Sequence, residues 1–164
     1  RLRYGNALRD SYPRIPVAKD DQLAVSLARI GADLIKAHLL EAELESNNFV
    51  VVGGNDGFRV EKVSYSDETI WIDKEKSRGF GNVATEIWEF QIGGYQVCYK
   101  WMKDRQARGG KKPHPGRVLD EDDIRHFQKV LAALANTIEI MPTIDEKIEA
   151  HGGWPGAFSE SASS

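Results

Sequence analysis

The stretch Trp88–Arg105, WEFQIGGYQVCYKWMKDR, joins a short apolar run to an aromatic and basic run through a double glycine. Gly93-Gly94 permits a backbone turn that a side chain would block. The pattern predicts a strand over 87–92, then the turn, and then a helix over 95–105. Aromatic bodies with basic neighbours are typical of a surface that meets nucleic acid, and they are equally typical of a helix that packs on a sheet.

A long helix is predicted on each side of this stretch. The first begins at Asp20-Asp21, where either carboxylate can cap it, and apolar residues at helical spacing carry it to about Glu45. The second begins after the N-cap Asp120, with Asp123 at the N3 position, and continues as an apolar seam with steps of three and four residues. Pro142 should stop or kink this helix, because proline lacks the N–H that a helix interior needs.

The segment between the two helices carries strand and turn signals. A β-branched run at 49–52 precedes a glycine-rich turn, and 58–65 with 69–73 is typical of a hairpin. Residues 74–83 are predicted to form a polar loop in which Gly79-Phe80-Gly81 is a flexible turn. The fold class that follows is α+β, with long N- and C-terminal helices packed with a small antiparallel sheet and a middle helix.

The composition is that of a globular protein. Of the 164 residues, 41% are hydrophobic and 29% are charged, so the chain can bury a core. We expect one α+β domain over residues 1–155, a disordered tail over 156–164, and a longer parent protein, because the chain begins with Arg1. No run of about 18 apolar residues occurs, so no membrane span is expected. Cys98, the only cysteine, excludes an internal disulfide and fits a cytoplasmic location.

The sequence contains no recognisable catalytic or metal-binding constellation. The four histidines are scattered and Cys98 has no second cysteine beside it, so a zinc site is not expected. Asp145-Glu146-Lys147 matches an acid-x-lysine pattern of nucleases, but no upstream strand acid accompanies it. Carboxylates at 120–123 are explained by helix capping. We therefore assign no catalytic residue, no metal ligand and no cofactor-binding residue.

The charge distribution leaves binding as the remaining activity. Residues 100–117 hold seven Lys or Arg and one acid, although the whole chain carries a net charge of -3. Arginine pairs with guanine and asparagine with adenine in bidentate contacts, and lysine suits phosphates. The candidate DNA contacts are Lys74, Lys76, Arg78 and Asn82 in loop 74–82, and Lys100, Lys103, Arg105, Arg108, Lys111 and Lys112 in 100–117. The alternative is a set of ordinary exposed cations.

Five segments of the chain together resemble a known family. In chain order they are SYPRIP (11–16), LIKAHLLE (34–41), IWEFQIGGYQVCYKWMKDR (87–105), EDDIRHFQKVLAALANTIEIMPTID (121–145) and EAHGGWP (149–155). They resemble the C-terminal specificity (target-recognition) region of type ISP restriction–modification enzymes and of related bacterial adenine-specific DNA methyltransferases. The match covers nearly the whole chain, and its middle segment is the most specific.

The resemblance implies a division of labour within a larger enzyme. In that family an upstream methyltransferase domain of the same polypeptide binds S-adenosylmethionine and methylates adenine, and the C-terminal region helps to recognise the double-stranded DNA target. The FxGxG-type cofactor loop and the (N/D)PPY-type catalytic loop of that domain are absent from this chain. We therefore expect a non-catalytic DNA target-recognition fragment that holds no cofactor of its own.

An alternative within the same family is a structural docking module. Its two long helices would brace the recognition domain against the methyltransferase domain, and DNA would be touched elsewhere. The resemblance also places the aromatic residues of the middle segment in the scaffold, so Trp88, Phe90, Tyr95 and Trp101 are expected to join sheet to helix. Residues 107–116, ARGGKKPHPG, look like an insertion relative to the family.

Overall fold

The computed structural model describes residues 16–53, 57–110 and 113–159. Its helices are α1 (Asp21–His38), α2 (Thr85–Glu89), α3 (Val97–Lys103) and α4 (Glu121–Ala150). Its strands are β1 (Val17–Ala18), β2 (Val51–Val52), β3 (Phe58–Arg59), β4 (Ser64–Ser66), β5 (Thr69–Trp71), β6 (Gly79–Phe80), β7 (Gln91–Ile92), β8 (Tyr95–Gln96), β9 (Val118–Leu119) and β10 (Phe158–Ser159). Two long helices, short antiparallel strands and the middle helix α3 confirm the predicted α+β class.

Helix α1 ends before the predicted position near Glu45. Leu40 has a φ of 59°, which is the left-handed conformation common just after a helix. The Glu41 N–H then donates to the Lys36 carbonyl at 2.9 Å, which satisfies a carbonyl at the helix end. The helix therefore stops at His38 although apolar residues continue beyond it.

Helix α4 begins as predicted and continues past Pro142. The Asp123 N–H donates to the Asp120 carboxylate at 2.8 Å, which confirms Asp120 as the N-cap and Asp123 as the N3 residue. Of the two effects expected of Pro142, a stop or a kink, the stop is wrong, because the helix runs on to Ala150. Pro142 itself is exposed.

The described residues divide into two compact units. The first contains residues up to Leu34 and from Ile140 onward, and the second contains Ile35–Glu139. In the first unit β1 pairs antiparallel with β10. The core of this unit is formed by Leu23, Ile148, Ala157 and Phe158.

Strand β10 lies within the segment expected to be a disordered tail, 156–164. Phe158 is buried and its backbone pairs with Ala18, so ordered structure extends past the expected boundary at residue 155. The small and polar residues around Phe158 are typical of a disordered tail, and a single apolar residue among them gives no strand signal. Residues 160–164 lie outside the described residues.

The second unit contains an antiparallel sheet in the order β2-β6-β5-β4. The β4–β5 hairpin was expected, but β6 lies where a loop was expected. A Cβ on Gly79 would lie 2.3 Å from the Ile70 carbonyl oxygen, so glycine allows two strands to approach closely. The expected flexible turn at Gly79-Phe80-Gly81 is therefore wrong. Phe80 is fully buried in the main core, which it shares with Val60, Ile70, Ile72, Met102, Phe127 and Leu131.

The segment that precedes α3 differs from the predicted strand over 87–92. It forms the short helix α2 and then the β7–β8 hairpin, in which Ile92 pairs with Tyr95. Gly93 and Gly94 have φ values of 61° and 86°, so the hairpin turn needs residues without a Cβ, as expected for the double glycine. Helix α3 follows inside the predicted range 95–105.

Candidate nucleic-acid interface

The turn between β5 and β6 is held by the carboxylate of Asp73, which is 1% exposed. This carboxylate accepts hydrogen bonds from the Ser77 N–H at 3.1 Å, the Ser77 hydroxyl at 2.5 Å and the Arg78 N–H at 3.2 Å. Burial alone would raise the pKa of Asp73, but the hydrogen bonds and the charge of Arg78 hold the pKa below its ordinary value. The ionised carboxylate thus fixes a turn on which Lys74 and Lys76 are exposed.

Arg78 connects this turn to the preceding loop. Its guanidinium donates to the Gly57 carbonyl at 2.7 Å and lies 3.4 Å from the Glu61 carboxylate and 3.5 Å from the Asp73 carboxylate. The Arg78 side chain is only 17% exposed. Its predicted place in loop 74–82 is as expected, but its donors are engaged within the chain. Arg78 is therefore a residue that positions the turn.

The segment Gly57–Glu61 connects the β5–β6 turn to the basic loop that follows α3. Gly57 and Glu61 of this segment contact Arg78 of the turn. On the side of the basic loop, the Arg59 guanidinium donates to the Gly116 carbonyl at 3.0 Å. The Val60 N–H donates to the Arg117 carbonyl at 3.0 Å. The structure thus brings together the two loops that the sequence analysis singled out separately.

These contacts build one surface, here called the basic face, from residues 57–61, 73–78, 104–110 and 113–117. Its cations are Arg59, Lys74, Lys76, Arg78, Arg105, Arg108 and Arg117, and its acids are Glu61, Asp73, Glu75 and Asp104. Cations outnumber acids on this surface although the chain as a whole has a net charge of -3. The basic face is therefore a local positive region on an acidic protein.

Two arginines are held side by side in this surface. The Arg105 guanidinium lies over the Trp101 ring, 3.6 Å from its centroid, and donates to the Trp101 carbonyl at 2.9 Å. Arg117 makes two hydrogen bonds to the Asp123 carboxylate, at 2.8 and 2.9 Å, and its backbone N–H donates to the Arg105 carbonyl at 2.8 Å. Burial, followed by the nearby charge of Arg117, lowers the pKa of Arg105.

Asn82 and Lys76 occupy different places although both belong to the predicted loop 74–82. Strand β6 separates Asn82 from Arg78, and the Asn82 amide donates to the Asn48 carbonyl at 3.0 Å. The Lys76 ammonium instead donates to the Ser66 hydroxyl at 2.9 Å, on the hairpin beside the turn. The loop is therefore not one surface, and Asn82 lies at the far end of β6.

The two lysines predicted on α3 are both exposed. The Lys100 ammonium forms an ion pair with Asp104 one helical turn later. The Lys103 ammonium lies 5.8 Å from the centroid of the Tyr99 ring. Both contacts lie at the surface, where solvent weakens them, so both lysines can exchange partners.

Arg108 stands at the start of a closed loop. The backbones of Arg108 and His114 exchange two hydrogen bonds of 2.8 Å, and the Arg108 guanidinium donates to the Asp104 carbonyl at 3.3 Å. Lys111 and Lys112, predicted as DNA contacts in this loop, lie outside the described residues.

The aromatic residues of the opening stretch divide into two groups. Trp88, Phe90 and Trp101 pack against the main core, with the Trp101 ring 4.5 Å from that of Phe127, as a scaffold role requires. The same expectation is wrong for Tyr95, which is 66% exposed on the β7–β8 hairpin. Tyr95 pairs with Ile92 in this hairpin, next to the double-glycine turn.

Three residues of the basic face escaped the sequence analysis: Arg59, His114 and Arg117. Arg59 is one half of a two-residue strand, and only its pairing with β9 brings it to the loop after α3. Arg117 was counted in the charge of that loop without being chosen. The available signal was its position just before the N-cap Asp120, where an arginine can reach the N3 carboxylate of Asp123.

Two further observations concern the described residues alone. Among them, no group of three or more His, Cys, Asp or Glu side chains is arranged to hold a metal ion. No described helix combines the length and apolar character that crossing a membrane requires. Cys98 is fully buried and its thiol donates to the Ile87 carbonyl at 3.6 Å; burial raises its pKa to about 12.

Comparison with solved structures finds the same fold in type ISP enzymes. One is a nuclease-deletion mutant of the Type ISP restriction-modification enzyme LlaGI in complex with a DNA substrate mimic, with a TM-score of 0.57 and 22% identity. Another is the ATP-dependent Type ISP restriction-modification enzyme LlaBIII bound to DNA, with a TM-score of 0.57 and 20% identity. The matches cover 89% and 87% of this chain, and they span 12% and 10% of those larger chains.

A comparison with protein families gives the assignment at the level of sequence. No curated protein matches the chain. The model of the Type ISP C-terminal specificity domain matches residues 1–143, which is most of the chain. This match confirms the resemblance drawn from the five segments. The chain therefore belongs to the family of Type ISP C-terminal specificity domains.

Proposed function

We propose that this domain recognises a double-stranded DNA target for a restriction–modification enzyme and is itself non-catalytic. The basic face carries this proposal, because four separate segments supply its cations through one network of backbone and side-chain contacts. Proteins use phosphate contacts to set their register on a duplex and use base contacts to read its sequence. A positive surface of fixed shape, made by loops on a scaffold, suits both tasks.

The contacts divide into two roles. Lys74 and Lys76 stand on the turn fixed by Asp73, so they approach DNA without having to order a loop first. Arg78 supports that turn from behind. The remaining candidates contact phosphates: Lys100, Lys103, Arg105, Arg108, Lys111 and Lys112. Asn82 lies at the other end of β6 and would touch DNA only where the duplex extends past the turn.

The parent enzyme would supply the chemistry. The proposed partner is an upstream methyltransferase domain of the same polypeptide, which binds S-adenosylmethionine and methylates adenine. This chain lacks both sequence loops by which such a domain is known, so it would hold no cofactor. The proposed location is the cytoplasm, where the host DNA lies.

The test compares two pairs of lysines in the intact enzyme. Lys74→Ala with Lys76→Ala should weaken binding to a target duplex about tenfold in fluorescence anisotropy and flatten its salt dependence. Lys36→Ala with Lys129→Ala is the matched control, since both lysines are exposed but lie outside the basic face. Equal behaviour of the two double variants, with unchanged methylated-site maps, would contradict the proposal.

A second candidate function is the docking of this domain onto the methyltransferase domain. The observation that favours it is the β7–β8 hairpin, where Ile92 is 54% and Tyr95 66% exposed. A Cβ built on Gly93 or Gly94 would meet nothing within 4 Å among the described residues, so the tip is open. An exposed apolar tip suits a protein surface better than a duplex.

This candidate makes a different prediction for the same enzyme. Ile92→Ser with Tyr95→Ser should leave DNA affinity within about twofold while loosening the junction between domains, which limited proteolysis measures. Loss of DNA affinity with unchanged proteolysis would instead place the hairpin on the DNA.

A further inference from the structure

A recess of about 390 Å³ opens in the basic face beside the end of α3. It is lined by Asp104, Arg105, His114, Pro115, Gly116 and Arg117. A water molecule occupies roughly 30 Å³, so the recess has room for a phosphate group together with several waters. Three of its lining side chains carry N–H donors.

The guanidinium groups of Arg105 and Arg117 are fixed by contacts within the chain, and each retains N–H groups without an acceptor among the described residues. The Nη1 atom of Arg105 donates to the Trp101 carbonyl, and the ring of Trp101 supports the guanidinium plane. The buried Nε atom of Arg105 has no hydrogen-bond partner among the described residues. Arg117 uses Nε and Nη2 on Asp123, which leaves the N–H groups of Nη1.

The third donor is the His114 ring, whose orientation is fixed by a backbone hydrogen bond. The Gly116 N–H donates to Nδ1 of His114 at 3.1 Å, so Nδ1 is the acceptor and Nε2 carries the proton. Gly116 has a φ of 85°, and a Cβ there would lie 2.4 Å from the Val60 carbonyl oxygen. Only glycine therefore permits this arrangement of the recess wall.

The acids near the recess already have partners. Asp104, which lines it, pairs with Lys100, and Asp123 pairs with Arg117. Burial lowers the pKa of Arg105, and repulsion from the nearby charge of Arg117 lowers it further. An oxyanion between two such guanidinium groups would relieve this repulsion and accept their free N–H groups.

We infer that this recess binds one phosphodiester group of the DNA backbone through Arg105, Arg117 and His114. The inference rests on the proposed function and adds a defined phosphate site to it. Since a phosphate contact carries no base information, this site sets the register of the domain on the duplex, and Lys74 and Lys76 are left to meet the target.

The test uses the intact enzyme and target duplexes in which single phosphodiesters are replaced, one at a time, by neutral methylphosphonates. For the wild-type enzyme, one linkage should lower the affinity about tenfold when it is neutralised. For Arg105→Gln and for His114→Ala, neutralising that same linkage should change the affinity less than twofold. Arg125→Gln is the matched control, because its guanidinium is 62% exposed on α4 and lies outside the recess.

The outcomes separate this inference from the proposed function. A full tenfold effect of the same linkage in both recess variants would overturn the phosphate site, as would a scan in which no linkage matters. Either result together with weakened binding by the Lys74 and Lys76 variant would leave DNA recognition standing. If Arg105→Gln does not fold, the same linkage scan is made with His114→Ala and Arg117→Lys, and their results test the phosphate site. Protection of the enzyme from heat by inorganic phosphate, with a flat linkage scan, would indicate a free-anion site and overturn the assignment to DNA.

Discussion

The Arg78 guanidinium donates a 2.7 Å hydrogen bond to the carbonyl oxygen of Gly57, a residue 21 positions earlier in the chain. The same guanidinium lies against the carboxylates of Asp73 and Glu61. One side chain thus joins the β5–β6 turn to the segment that carries Arg59. The shape of the basic face depends on this junction more than on any single exposed cation.

Replacing Arg78 with alanine should therefore destabilise the domain although the residue lies near the surface. The change removes the donor to the Gly57 carbonyl and the positive charge beside the buried Asp73 carboxylate, and we expect a loss of about 1–3 kcal/mol in the free energy of unfolding. Arg78→Lys should recover only part of it, because an ammonium cannot reach three acceptors at once. Urea unfolding followed by tryptophan fluorescence measures both. Arg125→Ala, a surface control, should stay within about 0.5 kcal/mol of wild type.

The charge of Asp73 predicts a pH dependence of stability. The pKa of this carboxyl is lower in the folded chain than its ordinary value of 3.8, so the folded state binds the proton less tightly than the unfolded state. The resulting stabilisation is fully present above the unfolded pKa and is lost as the pH falls through the folded pKa.

Asp73→Asn should remove this contribution. At pH 7 the variant should be less stable than wild type by about 2 kcal/mol, because charge-assisted hydrogen bonds to Ser77 and Arg78 are lost. The difference should narrow as the pH falls below 3.8. Urea unfolding at pH 7, 5 and 3 measures it, with the exposed Asp67→Asn as control. A difference that stays constant over this range would show that the charge of Asp73 contributes nothing.

Two glycines should respond in opposite directions to the same substitution. In Gly79→Ala the new Cβ would lie 2.3 Å from the Ile70 carbonyl oxygen, and neither backbone can move without breaking the β5–β6 pairing. We expect a loss of more than about 3 kcal/mol, or failure to fold. In Gly31→Ala the Cβ meets nothing within 4 Å, and α1 should gain up to about 1 kcal/mol. Similar melting temperatures for the two variants would contradict the assignment of β6 as an inner strand.

Local chemistry explains which elements could be predicted from the sequence. Asp120 and Asp123 cap α4 through groups three residues apart, so the pattern is complete within one turn of chain. The strand β6 has no such signal, because Gly79 is a weak strand former and only pairing with β5 orders it. The expected strand over 87–92 failed for a related reason: a short apolar run fits a helix or a strand, and packing decides.

The sequence predicted which cations belong to the candidate site, but it did not predict how they are arranged in space. Lys74 and Lys76 are exposed as expected, but nothing near Arg78 in sequence indicates that Gly57 and Glu61 will occupy its guanidinium. Contacts between residues 17 to 21 positions apart depend on the sheet that folds between them. The phosphate recess was beyond sequence reasoning for the same reason.

Cys98 offers a last prediction, on the integrity of the core beneath the basic face. Cys98 lies on α3, and its fully buried side chain contacts the Ile87 carbonyl of α2. Burial raises the pKa of its thiol to about 12. Because the thiolate is the reactive form, only about one thiol in 10,000 is ionised at pH 8 in the folded chain, against roughly a quarter in an unfolded chain with a thiol pKa near 8.5. Burial also blocks access, so a thiol reagent should react at least 1,000-fold more slowly with the native protein than with the urea-unfolded protein. Cys98 is the only cysteine, so Cys98→Ala provides a blank for the absorbance measurement. Reaction of the native protein at the unfolded rate would mean that α3 opens freely, and a phosphate recess at the end of that helix would then lack the fixed Trp101 and Arg105 on which it depends.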